Sequence, residues 1–274
     1  MRELNRVGVA ATRAGSVARM RFAVYPPNFG EYADPALVVD LARRAEAAGW
    51  DGFFLWDHLV NGSGRVADPW TTLGAVAFAT EHVTIGPLIV PLARRRPHNV
   101  ALAALTLSRL APGRVVLGAG LGTPPDFSRF GEPDDWRTRA ARLEDGLAVV
   151  RAYLGRGSRN GVAFGDAPHV PIWVGGIWPR RQPFHGVAHA DGLFPLRYEA
   201  GKGFSPLSAD DLAEIRASVP VAATRDLVLW NAMTPDEPDV AAYEEAGVTW
   251  WLVAPRAGES AEAFARMVDA GPPR

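Results

Sequence analysis

Asp57 and His58 stand side by side directly after an apolar run, Gly52-Phe53-Phe54-Leu55-Trp56. A histidine suits proton delivery or removal near neutral pH. An isolated Asp-His pair is more often a hydrogen-bonded loop pair than a site. Position shifts the balance here. A polar pair one step past a buried parallel strand sits at the mouth of the sheet, where α/β folds place their chemistry.

A second signal is Pro171-Ile172-Trp173-Val174-Gly175-Gly176-Ile177-Trp178-Pro179-Arg180-Arg181. It reads as a strand, a double glycine and a proline-started helix, which would aim free amides along a helix dipole toward an anion. Arginines in a first helical turn disfavour the helix itself and make sense beside an anion. Gly175, Gly176 and Arg180 are the candidates, against a plain reading as a tight turn with surface arginines. Trp178 is the tryptophan best placed to line a pocket for a planar ligand. Gly118-Ala119-Gly120-Leu121-Gly122 looks like a dinucleotide fingerprint, but a long loop follows it instead of a helix. Its small residues, Gly120 among them, let a flat ligand approach the backbone. Arg94-Arg95-Arg96 is more often a solvated face than a site, although one of the three could meet a phosphate or an acidic substrate. His98, His169, His185 and His189 lack metal-ligand spacing, and no metal site is expected.

Composition narrows the function classes. The chain has 274 residues, 48% of them apolar, enough for one full core. A net charge of −1 gives no reason to expect a nucleic acid or an anionic membrane as partner. With no cysteine, disulfides and thiolate catalysis are absent. No apolar run approaches the ~18 residues of a membrane span. These features suit a cytoplasmic protein acting on a small molecule. Lys202 is the single lysine, so a phosphate clamp would need arginine, helix ends or backbone amides.

Positioning these residues requires alternating elements. Strands are expected at Arg21–Tyr25, Gly52–Trp56, Thr84–Val90, Val115–Ala119, Pro171–Val174, Gly192–Pro195, Asp226–Trp230 and Thr249–Val253. Asp34-Pro35 and Asp68-Pro69 open helices in the N-cap acid and first-turn proline pattern. Asp134 or Asp135 caps a helix whose apolar residues step by three and four. Further helices are expected at 97–110, 179–190, 208–217, 239–246 and 260–269. Eight strands alternating with helices argue for a single closed (β/α)8 barrel over residues 20–274. Residues 1–19 lack sustained periodicity and read as a disordered extension.

The succession Asp57-His58, Asp68-Pro69-Trp70, Gly86-Pro87-Leu88-Ile89-Val90-Pro91 and Arg109 to Gly122 resembles the bacterial luciferase-like flavin-dependent oxidoreductases. The resemblance implies FMN or the deazaflavin coenzyme F420, and either monooxygenation or hydride transfer. It makes His58 a binding or acid/base residue with Asp57 orienting it. It places a non-prolyl cis peptide at Leu88–Ile89, against the coenzyme ring, and the coenzyme phosphate near Gly175, Gly176 and Arg180. Sugar-phosphate dehydrogenases of the deazaflavin branch carry a catalytic glutamate where this chain has Thr123, which argues against that activity. Relatives are commonly dimers built on the early helices, and the FMN branch can depend on a separate flavin reductase. The segment 155–168 is short for the family. The alternatives are a barrel without flavin that performs acid/base chemistry, or a non-catalytic flavin-binding protein.

Overall fold

The computed structural model describes residues 19–60, 64–155, 158–165, 169–179, 190–199, 203–218, 226–231 and 240–273. Most of the expected helix 179–190, and residues 1–18 of the expected extension, lie outside them.

The helices begin where the sequence places their caps. Asp34 accepts the Ala36 amide at the start of α1 (Pro35–Ala47), and Asp68 accepts that of Thr71 at the start of α2 (Pro69–Ala79). Helix α3 spans Pro97–Leu110, and a single turn, α4, spans Pro125–Ser128. Asp135 caps α5 (Trp136–Leu154) by accepting from Thr138. Helices α6 (Ala209–Ser218), α7 (Val240–Glu245) and α8 (Ala261–Asp269) follow among the described residues.

Nine parallel strand segments make eight staves. They are β1 (Arg21–Val24), β2 (Gly52–Leu55), β3 (Thr84–Pro87) with β4 (Val90–Pro91), β5 (Leu117–Gly120), β8 (Ile172–Trp178), β9 (Gly192–Glu199), β11 (Asp226–Asn231) and β12 (Trp250–Val253). The order β3-β2-β1-β12-β11-β9-β8-β5-β4 runs almost around a ring. Two backbone bonds complete it: Ile85 N–H to the Arg114 carbonyl at 2.7 Å, and Val116 N–H to the Ile85 carbonyl at 3.0 Å. The expected (β/α)8 barrel is therefore observed.

Four details depart from the sequence reading. The third stave is split into β3 and β4 around Leu88–Ile89, whose peptide bond is cis as the resemblance implied. The fifth stave, β8, does not stop at Val174. It continues through both glycines, pairing Gly175 with Phe194 and Gly176 with Pro195. The sixth, β9, runs on to Glu199 and takes an antiparallel partner, β10 (Gly203–Ser205), that the sequence reading lacked. A small hairpin, β6 (Ser158–Arg159) and β7 (Val162–Ala163), also went unforeseen. Its Asn160-Gly161 turn has positive φ at both residues, 54° and 76°, the two-residue hairpin signature.

Side chains divide between two cores. One lies between ring and helices; the other fills the ring. At the base of the ring Phe54, Trp173 and Trp250 pack with centroids 5.5–5.6 Å apart. Higher up, Tyr25, Leu88 and Phe194 continue the filling. Closure depends on one bare position. A β-carbon on Gly86 would lie 1.9 Å from the Val116 carbonyl oxygen, part of the seam that completes the ring. We expect Gly86→Ala to cost more than about 3 kcal/mol in urea unfolding, because backbone would have to move. Gly74→Ala, in α2 with open space around it, should be neutral or stabilising by up to about 1 kcal/mol.

Candidate active site

His58 follows β2 at the carboxyl end of the ring, as the sequence places it. Its ring Nδ1 lies 2.7 Å from Oδ2 of Asp126, a residue of the turn α4 that belongs to the loop after β5. The Asp126 side chain is buried and also accepts from the Leu59 amide at 2.8 Å, the Val60 amide at 2.9 Å and the Thr123 hydroxyl at 3.0 Å. Burial by itself would raise its pKa. The hydrogen bond and charge of His58 and the two amides outweigh burial and hold it at about 2. Asp126 is thus a carboxylate at every physiological pH, an acceptor with no proton to give. A carboxylate on Nδ1 fixes the proton there and leaves Nε2 for a substrate.

The expected orienting role of Asp57 is therefore wrong. Asp57 points away from His58 into a buried cluster of guanidiniums. Arg95 donates to both of its oxygens at 2.7 Å, and Arg94 donates to Oδ1 at 3.2 Å. All three side chains are largely shielded from water. Adjacent residues on an extended segment point in opposite directions, so only one of the pair can face the mouth. Asp57 instead ties the loop after β2 to the one after β4. Removing it would leave two guanidiniums buried without a counter-charge, the costly way to break such a cluster. The same pairing withdraws Arg94 and Arg95 from the anion role considered for the triple arginine.

Asn28 pins the histidine loop from the other side. Its amide donates to the carbonyls of His58 and Ala67 at 2.9 and 2.8 Å and accepts from the His58 amide at 3.0 Å. Neither Asn28 nor Asp126 was foreseen. Thr123-Pro124-Pro125-Asp126 reads only as a turn, and nothing in its local pattern marks a partner in the loop after β2.

On the neighbouring third, fourth and fifth staves the surface is small and apolar. Ile89 is half-buried and lies over three glycines. A β-carbon on Gly120 would come within 2.6 Å of its Cγ2, one on Gly175 within 3.0 Å of its Cγ1, and one on Gly118 within 2.9 Å of its Cδ1. Leu88 is fully buried beside it, and Tyr25 donates its hydroxyl to the Leu88 carbonyl. The expected site residues Leu88, Ile89, Gly120 and Gly175 thus come together, with a difference. The glycines receive the side chains of Leu88 and Ile89 and are not themselves open to a ligand. Strand alternation turns Gly176 outward, and Trp178 packs in the core between ring and helices, away from the mouth. The double glycine is strand, so it offers no helix N-terminus for an anion, and Arg180 lies outside the described residues. Among the described residues no three His, Asp or Glu side chains converge on a metal position.

The profile of the luciferase-like monooxygenase family matches residues 13–268. The chain belongs to this family. Among its luciferase-like relatives is an F420-dependent glucose-6-phosphate dehydrogenase of Beutenbergia cavernae, 34% identical over 177 residues, 58% of this chain and 49% of that one. Another of the same description, from Nakamurella multipartita, is 30% identical over 224 residues, 73% of this chain and 64% of the relative. The chain thus spans about half to two thirds of the length of these two relatives. An F420-dependent secondary alcohol dehydrogenase, solved with an F420–acetone adduct, superimposes with a TM-score of 0.68 at 16% identity, over 92% of this chain and 99% of that one. That likeness concerns the luciferase-like barrel alone.

The depressed pKa of Asp126 sets a direction with pH. The folded state binds its proton more weakly than the unfolded chain, so this stabilisation is complete above the unfolded value near 4 and is lost as pH falls toward 2. We expect acid titration to remove about 2 kcal/mol from the wild type across that window. Asp126→Asn should lack this component when unfolding by urea is measured at pH 4 and again near pH 2.

Proposed function

We propose that the protein is an oxidoreductase that uses a flavin-type coenzyme, F420 or FMN, to act on a small organic substrate, with His58 moving the substrate's proton. The observation that carries this reading is the His58–Asp126 pair held at the carboxyl end of a luciferase-like barrel. Relatives named as F420-dependent support the deazaflavin form.

The mouth suits such a group. Gly118, Gly120 and Gly175 let Ile89 and Leu88 sink into the ring, which leaves a low apolar surface on the staves next to the histidine's loop. Ile89 would bear the coenzyme ring, with Leu88 beneath it. When bound, the coenzyme supplies the acceptor or donor of a hydride, or, as reduced FMN, the site of oxygen activation. The remaining steps belong to the chain. Asp126 holds the Nδ1 proton, Nε2 takes a proton from a substrate hydroxyl or returns one to a carbonyl, and Asn28 keeps the loop from drifting. The carboxylate also stabilises the imidazolium formed when Nε2 gains its proton. Thr123 stands where the resemblance puts a catalytic glutamate in the sugar-phosphate enzymes, and here its hydroxyl serves Asp126.

We further propose a cytoplasmic homodimer, joined through α2 and α3, and, for the FMN form, a separate flavin reductase as partner. Phe78 is 90% exposed, and Leu102 and Leu110 are 45% and 52% exposed on the same pair of helices. Apolar side chains grouped in this way favour a covered face. Phe78→Glu with Leu102→Glu should shift the species seen by light scattering from two chains to one.

The purified protein mixed with F420 or with FMN and passed through a desalting column should retain the coenzyme's visible absorption. His58→Ala should lower kcat by 10²–10⁴-fold, roughly 3–5 kcal/mol in the barrier. His82→Ala, at an exposed position, should leave it unchanged. Retention of neither coenzyme would replace this reading with non-redox acid/base chemistry.

A further inference from the structure

We infer that the mouth receives a neutral, ring-bearing substrate along a wall of aromatic side chains, and that Tyr198 and Phe204 select it. The inference rests on the oxidoreductase reading for the reaction and adds the class of molecule that reacts.

The wall is continuous. Tyr198 and Phe204 face each other across the β9–β10 ribbon with centroids 5.1 Å apart. Phe204 meets Trp230 at 6.2 Å, Trp230 meets Trp56 at 6.4 Å, and Trp56 meets the His58 ring at 5.8 Å. Four aromatic rings therefore lead from the outer edge of the ribbon to the proton-transfer residue. Most contacts are steeply inclined, between 60° and 89°. In this edge-to-face arrangement the rings brace one another, and the exposed outer pair offers aromatic surface at the rim. Tyr198 is 52% exposed and Phe204 41%. They extend a ribbon that a bare (β/α)8 barrel does not need, and large apolar groups at the rim of a site mark a binding surface.

Charge points the same way. Three arginines beside the wall are committed to carboxylates of the chain and are not free to meet a charged substrate group. Arg94 and Arg95 hold Asp57, and Arg197, beside Tyr198 on β9, is paired with Asp211 at 2.5 Å. Within the wall the indole nitrogens of Trp56 and Trp230 are neutral donors, buried with no partner among the described residues. Neutral donors beside apolar ring faces suit an uncharged molecule that carries an aromatic or extended apolar body and a carbonyl or hydroxyl oxygen.

Acetophenone and glucose 6-phosphate make a decisive pair of probes, followed by saturation-transfer NMR on the coenzyme-loaded protein. Acetophenone should bind saturably, with the strongest transfer to its ring protons, and glucose 6-phosphate should not. Replacing both rim residues, Tyr198→Ala with Phe204→Ala, should weaken acetophenone binding at least tenfold and raise KM far more than it alters kcat. Tyr198→Leu with Phe204→Leu keeps apolar bulk and should fall between wild type and the alanine pair. Circular dichroism of each variant confirms the fold. The inference is overturned if glucose 6-phosphate binds as tightly as acetophenone, if acetophenone does not bind, or if both folded double variants bind it unchanged. A sample that retains coenzyme but ignores acetophenone refutes the wall and leaves the oxidoreductase reading intact. One that binds acetophenone and retains no coenzyme does the reverse.

Discussion

The arrangement of the mouth depends on how far the third stave sinks into the ring. Three bare positions, Gly118, Gly120 and Gly175, contributed by two neighbouring staves, receive Leu88 and Ile89; a β-carbon would come within 2.4 and 2.6 Å of them at Gly118 and Gly120 and within 3.0 Å at Gly175. A small barrel has little internal volume, and aromatic side chains already claim its base. Lowering one stave by removing side chains beneath it is how this chain gains a shallow surface at the top. The other half of the mouth does the opposite and is crowded with rings. The asymmetry gives the site a smooth side and a shaped side, with His58 at the edge of the shaped one.

Electrostatics repeats the division of labour. Two carboxylates fix the loop after β2, Asp57 from within it and Asp126 from the turn after β5. Asp57 neutralises two guanidiniums and makes the loop rigid; Asp126 neutralises nothing permanent and is held ready for an imidazolium. Their environments differ accordingly, arginine on one side and amides, a hydroxyl and an imidazole on the other. Only the second arrangement responds to a change in the charge of His58. A rigid loop and a responsive partner are both needed to keep a proton-transfer group in place without immobilising its proton.

The barrel was legible because its signals are local. Asp34-Pro35 and Asp68-Pro69 start helices by hydrogen bonds within a few residues, and the apolar strands identify themselves by composition. His58 was legible for the same reason, as a polar residue at a strand end. Its partner was not. The bond to Asp126 joins residues 68 apart, and adjacency made Asp57 the obvious but mistaken choice. The double glycine misled through a rule that is sound in itself, since glycines before a proline usually end a strand; here pairing with β9 carries the strand through them. The β6–β7 hairpin could have been read from Asn160-Gly161, the strongest short hairpin signal in the chain. The β9–β10 ribbon could not, because Tyr198 and Phe204 reveal their roles only when Trp230 arrives from a later stave.

That long reach from His58 to Asp126 has a consequence for assembly. The histidine comes from the second stave and the carboxylate from the turn after the fourth, on opposite sides of the split stave that closes the ring. An incomplete barrel could present the imidazole but could not choose its tautomer. Chemical competence is thus withheld until the chain has gone around far enough for these two loops to meet. Turnover itself then serves as a gauge of ring closure, a finer one than helical content, which α1 to α3 would supply long before.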